Sequence, residues 1–153
     1  MANVTVHAPT LMETKAIAQK LAPLLAPGDC LLLDGALGAG KSAFSRFLIQ
    51  HLANSEIEVP SPTYTLLQTY ALPRFSIYHY DLYRITEPDE LYELEWQDAR
   101  FSGVCLVEWP TRLEHLKPPG ALTISISIDS EHARRFHFSG DEPKWERHIK
   151  SIG

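Results

Sequence analysis

Positive charge is in short supply in this 153-residue chain: 14 Lys and Arg stand against 19 Asp and Glu, for a formal net charge of −5. Without a basic field the chain is poorly equipped to gather nucleic acid by itself. Any RNA is therefore expected to be held by a partner. Cysteine is nearly missing. Cys30 and Cys105 are the only two, both inside apolar runs where a thiol acts as a small hydrophobe, so reduced structural thiols are expected and a disulfide framework is not. No apolar run approaches the roughly 18 residues of a membrane span, and the opening residues lack the charged-then-apolar order of a secretory leader. A cytoplasmic location without a membrane partner is the expectation. The seven histidines are scattered, with no pair at metal-ligand spacing backed by a third ligand, which argues against zinc. Internal repeats and low-complexity segments are also missing.

What is present fits one core. A chain of 153 residues that is 44 % hydrophobic is too short for two sizeable domains, so residues 1–153 are read as a single domain.

Within it, "LLLDGALGAGKSAFSRFLIQHLA" (residues 31–53) runs from aliphatics through a side-chain-poor loop into a sequence with apolar residues at helical spacing. A bare loop lets backbone N–H groups approach an anion closely. Gly35-Ala36-Leu37-Gly38-Ala39-Gly40-Lys41-Ser42 fits G-x-x-x-x-G-K-[ST]. In that motif the backbone cradles phosphates, the lysine reaches the β- and γ-phosphates, and the hydroxyl meets Mg²⁺. Leu37, Gly38, Ala39, Gly40, Lys41 and Ser42 are accordingly the candidate phosphate-binding residues. The context agrees, because Cys30 to Leu33 reads as a buried parallel strand and Phe44, Phe47, Leu48 and Leu52 as one face of a helix.

Other elements follow from pattern. Thr10 and Glu13 have capping-box spacing ahead of a helix that ends or kinks near Pro23. Residues 56–84 read as extended chain and then a hairpin-like pair with Pro73 in the turn. Thr86 is read as the N-cap of a helix through Leu91 and Leu94, with Pro88 in its first turn. Val104 to Val107 forms a continuous apolar strand, Leu122 to Ile128 an alternating one, and Phe136 and Phe138 continue that pattern. Trp145 and Ile149 face inward from a last helix. The fold class expected is α/β: a P-loop NTPase-type domain with a mostly parallel central sheet flanked by helices and an antiparallel hairpin portion.

A phosphate-bound Mg²⁺ needs a carboxylate, or its ordered water, opposite the loop hydroxyl. Glu108 ends a buried apolar run, and strand ends of this kind form ligand sites in α/β sheets, so it is assigned with Ser42 to the metal. Asp81 ends the more mixed run "SIYHYD". It orients the attacking water, acts through the metal's water shell, or makes only a surface pair with Arg84.

These blocks occur in order: "GALGAGKS" followed by "FSRFL", "SPTYTL" at 61–66, "YHYDLYR" at 78–84, "PDEL" at 88–91 and "CLVEW" at 105–109. Together they resemble the bacterial tRNA threonylcarbamoyladenosine biosynthesis ATPase family TsaE, also called YjeE. The resemblance implies ATP and Mg²⁺ as cofactors, with Ser42 and Glu108 on the metal and Asp81 needed for hydrolysis. It brings Thr10 and Arg134 toward the nucleotide; Trp109 is either beside the nucleotide or a rim or core aromatic, and the segment with Ser61, Thr63 and Tyr64 is either a switch sensing the γ-phosphate or a proline-stiffened connection. It also implies partnership with the TsaB–TsaD pair, which attaches threonylcarbamoyl to an adenosine beside the anticodon, with tRNA met only through those partners. The chain departs from the family at Ser42, where threonine is usual, at Ala36, where an acid is frequent, and at Glu95, where glycine is common.

Two rival functions remain at this stage. A small-metabolite kinase would carry an arginine-bearing lid, yet Thr86 to Arg100 holds six acids and one basic residue. A nucleotide-gated assembly factor would need ATP bound and never cleaved.

Overall fold

The computed structural model describes residues 2–153. In chain order the elements are β1 (Ala2–Ala8), α1 (Leu11–Leu21), β2 (Cys30–Asp34), α2 (Lys41–Ala53), β3 (Leu67–Ala71), β4 (Ser76–Asp81), α3 (Trp96–Ser102), β5 (Val104–Glu108), β6 (Leu122–Ile128), β7 (Arg134–Gly140) and α4 (Pro143–His148). Short 3₁₀ segments lie at Ala22–Leu24, Pro88–Leu94, Pro110–Leu116 and Ile149–Ser151. All seven strands join one sheet in the order β1-β7-β6-β2-β5-β4-β3. Its centre, β6-β2-β5-β4, is parallel. Both edges are antiparallel, β3 on β4 at one side and β7 then β1 at the other.

The alternation of strand side chains divides the core in two. Leu31 and Leu33 of β2, Ile77 of β4, and Val104 and Leu106 of β5 face one layer with residues of α1 and α2 such as Leu21, Phe44 and Leu48. Cys30, Leu32, Tyr80, Cys105 and Val107 point the other way, against Leu91, Trp96, Ala99 and Leu113. Being covered on both faces is why β2 and β5 read as unbroken apolar runs. The two cysteines are neighbours in the β2–β5 register, buried and free. On β6, by contrast, Leu122, Ile124 and Ile126 are buried while Thr123 and Ser125 are half-covered, as the alternating sequence requires.

Two local expectations change. The helical turn after Thr86 is a 3₁₀ segment capped by Glu87 instead of Thr86, because Pro88 occupies its first position and the Glu90 carboxylate reaches back to the N–H groups of Thr86 (3.0 Å) and Glu87 (2.7 Å). Strand β1 is new: Ala2 to Ala8 pairs in full register with β7, supplying the partner an otherwise open edge needs. The helix starting at Thr10 ends at Leu21, just short of Pro23, and the hairpin pairs Leu67–Ala71 with Ser76–Asp81 around Pro73.

Candidate functional site at the strand ends

The loop between β2 and α2 opens at the carboxyl end of the parallel strands, where α/β sheets place their ligands. Gly38 (φ 83°) and Gly40 (φ 111°) take left-handed backbone conformations. An added Cβ would meet open space at Gly38, and at Gly40 nothing closer than Arg134 Nε at 3.8 Å, so glycine here leaves the loop's inner surface bare. Gly35 differs. A Cβ there would lie 2.7 Å from the carbonyl oxygen of Ile126, which presses the base of the loop against β6. The α2 N-terminus begins at Lys41, and its free N–H groups and dipole favour an anion.

Leu37, Gly38, Gly40, Lys41, Ser42, Ser61, Thr63, Asp81, Glu108 and Trp109 enclose a cleft of about 220 Å³. Sequence positions spread over 73 residues thus converge on one hollow, with the glycine-rich loop on one side and strand-end acids on the other. Lys41 folds back to donate to the Gly35 carbonyl at 2.8 Å, and its Nζ lies 3.9 Å from the centroid of the Trp109 ring. Ser42 is exposed at the start of α2.

The acids follow from strand register. Asp81 of β4 pairs with Glu108 of β5, and Glu108 in turn with Leu33 of β2, immediately before the loop. Both are buried. Asp81 accepts from the Thr63 hydroxyl (3.3 Å) and the Tyr83 N–H (3.0 Å). Ser61 and Thr63 share a hydroxyl contact of 2.7 Å, so the Thr63 proton that goes to Asp81 leaves Ser61 as donor to Thr63. Arg84 does not pair with Asp81. It donates instead to the carbonyls of Thr63 (3.1 Å) and Tyr64 (2.8 Å), tying residues 63–64 to the end of β4. The proline-flanked segment is therefore held against Asp81 by two side chains from the "YHYDLYR" block.

The donors facing the cleft fit magnesium. Ser42, Thr63, Asp81 and Glu108 offer oxygen alone, the ligand class that hard divalent cations take. Among the described residues no three of His, Cys, Asp and Glu gather into a cage, so a cation here would complete its shell with phosphate and water, as Mg²⁺ does in phosphate sites.

Two candidates stand apart. Thr10 does not line the cleft. Its N–H and hydroxyl both go to the Glu13 carboxylate, which makes it the cap of α1. Arg134, at the start of β7, braces the loop from outside by donating to the carbonyls of Ala39 (2.9 Å) and Ser130 (3.0 Å). Ala39 is itself buried and acts through its backbone.

One residue escaped the sequence reading. His79, one of the scattered histidines, brings its Nε2 to 2.7 Å from Glu108 Oε2, with both side chains buried. The signal was period two: Ile77, His79 and Asp81 share a face of β4, so a polar ring stands in an apolar column two residues before a cleft acid.

Comparison with known proteins gives the family and the fold. A family model described as threonylcarbamoyl adenosine biosynthesis protein TsaE matches residues 8–136. The tRNA threonylcarbamoyladenosine biosynthesis protein TsaE of Rickettsia felis is 43 % identical over 122 residues, covering 80 % of this chain and 71 % of that one. Its namesake in Bacillus subtilis is 37 % identical over 134 residues, 88 % of this chain and 84 % of the relative. The crystal structure of Bacillus subtilis YdiB superposes with a TM-score of 0.80 at 29 % identity, covering 99 % of this chain and 94 % of that chain.

Proposed function

The chain belongs to the TsaE family of threonylcarbamoyl adenosine biosynthesis proteins, and from that premise we propose that it binds Mg·ATP in the loop-and-acid cleft and hydrolyses it to serve tRNA threonylcarbamoyladenosine formation. One observation carries the reading: the phosphate loop, its Lys41 and Ser42, and the acids Asp81 and Glu108 border a single cleft.

Each residue has a task under this reading. Amides of Leu37 to Ser42 receive the phosphates, and Lys41 exchanges its Gly35 carbonyl for a phosphate oxygen. Ser42 and Glu108 hold the metal, which when bound neutralises charge gathering between the β- and γ-phosphates. Asp81 accepts from or orients the attacking water, with Thr63 linking it to the 61–64 segment. Arg134 holds the loop in shape from behind. Among the described residues lining the cleft there is no arginine to stabilise the transferring phosphoryl group. An added arginine finger raises such rates by about 10³ to 10⁵, so the protein alone should turn over slowly and depend on the TsaB–TsaD pair for speed. RNA would be met through those partners, in keeping with the net charge of −5.

The test is release of phosphate from ATP by wild type and by Asp81→Asn, each with and without the TsaB–TsaD pair, together with rescue of tRNA modification in cells lacking the gene. Asp81→Asn should bind ATP, release almost no phosphate and fail to rescue. Rescue by that variant would instead mark a non-hydrolytic assembly factor, and transfer of the phosphoryl group to a metabolite would mark a kinase.

A further inference from the structure

Glu108 is held by a residue to which the reading above gives no task. His79 lies two residues before Asp81 on β4 and is 1 % exposed; Glu108, 4 % exposed, ends β5. The partners of His79 in the sheet register are Gln68 and Leu106, and Leu106 shares its core layer with Ile77. An imidazole in such a column needs a polar partner, because burying an unpaired polar group is costly. It finds one, the Oε2 atom of Glu108 at 2.7 Å. With Glu108 a carboxylate, Nε2–H is the donor. Its other nitrogen, Nδ1, is buried without a hydrogen-bond partner. A proton on Nδ1 would have nothing to receive it, so the surroundings favour the tautomer that points its N–H at Glu108.

The consequence lies on the far side of the carboxylate. Among the described residues no hydrogen bond engages Glu108 Oε1, while the residue lines the cleft beside Ser42. We propose that His79 is a positioning residue for the metal: its Nε2–H fixes the Glu108 carboxylate so that Oε1 is presented to Mg²⁺ or to a water of its shell. This rests on the Mg·nucleotide reading of the cleft. A carboxylate already fixed by a hydrogen bond loses less freedom when it meets a cation, and such outer partners typically change metal affinity by about 10- to 100-fold. His79 touches neither nucleotide nor metal and acts through Glu108 alone.

The experiment measures Mn²⁺ affinity by electron paramagnetic resonance in the presence of saturating ADP, and ADP affinity in EDTA, for wild type, His79→Leu, His79→Asn, His79→Gln and Glu108→Gln. Glutamine carries an amide N–H near the place of Nε2, whereas asparagine is polar but too short. Leu and Asn variants should bind Mn²⁺ about tenfold or more weakly, Gln should restore most of the loss, and ADP affinity in EDTA should stay unchanged in the three His79 variants. Adding His79→Leu to Glu108→Gln should cause no further loss. Wild-type Mn²⁺ affinity in all three His79 variants overturns the proposal, as does an equal loss of ADP binding without metal or a failure of Gln to do better than Asn. If Leu at 79 prevents folding, the Asn and Gln pair decides alone. Absence of Mn²⁺·ADP binding by the wild type would overturn the nucleotide reading itself, a result distinct from any of these.

Discussion

Lys41 and Trp109 are stacked cation on ring, with Nζ 3.9 Å from the ring centroid while the same ammonium donates to Gly35. Trp109 holds a left-handed backbone conformation (φ 59°) to do this, directly after the strand-end Glu108, and its ring also meets Tyr83 at 4.9 Å. The lysine to which the proposed function gives a phosphate is thus parked on an aromatic lining the same cleft.

Phosphate should draw Lys41 off the ring. Tryptophan emission is expected to change as Mg·ADP is added, saturating along the binding curve. The other two tryptophans, Trp96 and Trp145, are 4 % and 1 % exposed and lie outside the cleft, so Trp109→Phe should abolish the signal and leave binding within about threefold, a difference of well under 1 kcal/mol. Unchanged emission across a demonstrated binding curve contradicts the parked lysine.

Arg84 should set the order of the segment it holds. Its planar fork donates to two successive carbonyls, Thr63 and Tyr64, which a lysine cannot match. In Arg84→Lys, amide hydrogen exchange at residues 61–66 should quicken and ATP turnover fall by about five- to tenfold, the equivalent of one hydrogen bond. Nucleotide affinity should not move. Loss of affinity with unchanged exchange would count against this role.

Glu95 occupies a left-handed position (φ 60°, ψ 27°) between the 3₁₀ turn and α3. That conformation strains any side chain with a Cβ, and glycine relieves it while adding freedom to the unfolded chain. Glu95→Gly should stabilise the fold by about 0.5–1 kcal/mol, a rise in Tm of roughly 1–4 °C at this length. Glu95→Ala, which keeps the Cβ, should bring no such gain in a thermal melt.

Glu90 gives a pH-dependent contribution with a definite sign. Bonds from the backbone N–H of Glu87 and the Thr86 hydroxyl and N–H hold its carboxyl below the ordinary carboxylate range. The folded state therefore binds that proton less tightly than the unfolded one, and protonation favours unfolding. Wild type should exceed Glu90→Gln in stability above the ordinary carboxylate range, and the gap should close as pH falls through the lowered folded value. A gap that persists in strong acid, measured by urea unfolding at several pH values, contradicts the capping role.

Much of this was legible beforehand because each signal is local. The glycine spacing gave the loop, and the doubly apolar runs gave β2 and β5 with Glu108 at a strand end. The departure from glycine at Glu95 falls on the left-handed position between the 3₁₀ turn and α3. What escaped depended on partners distant in sequence. β1 became a strand only because β7, more than 120 residues later, offers it an edge. His79 looked idle because strand register, not spacing along the chain, brings it to Glu108.

The most direct measurement is a crystal structure with magnesium and a non-hydrolysable ATP analogue. The β- and γ-phosphates should lie on the amides of residues 37–42, with Lys41 swung from Trp109 onto them and the cation between Ser42 and Glu108. A cleft still closed by Lys41 at saturating analogue, or an analogue bound away from Ser42 and Glu108, would contradict it.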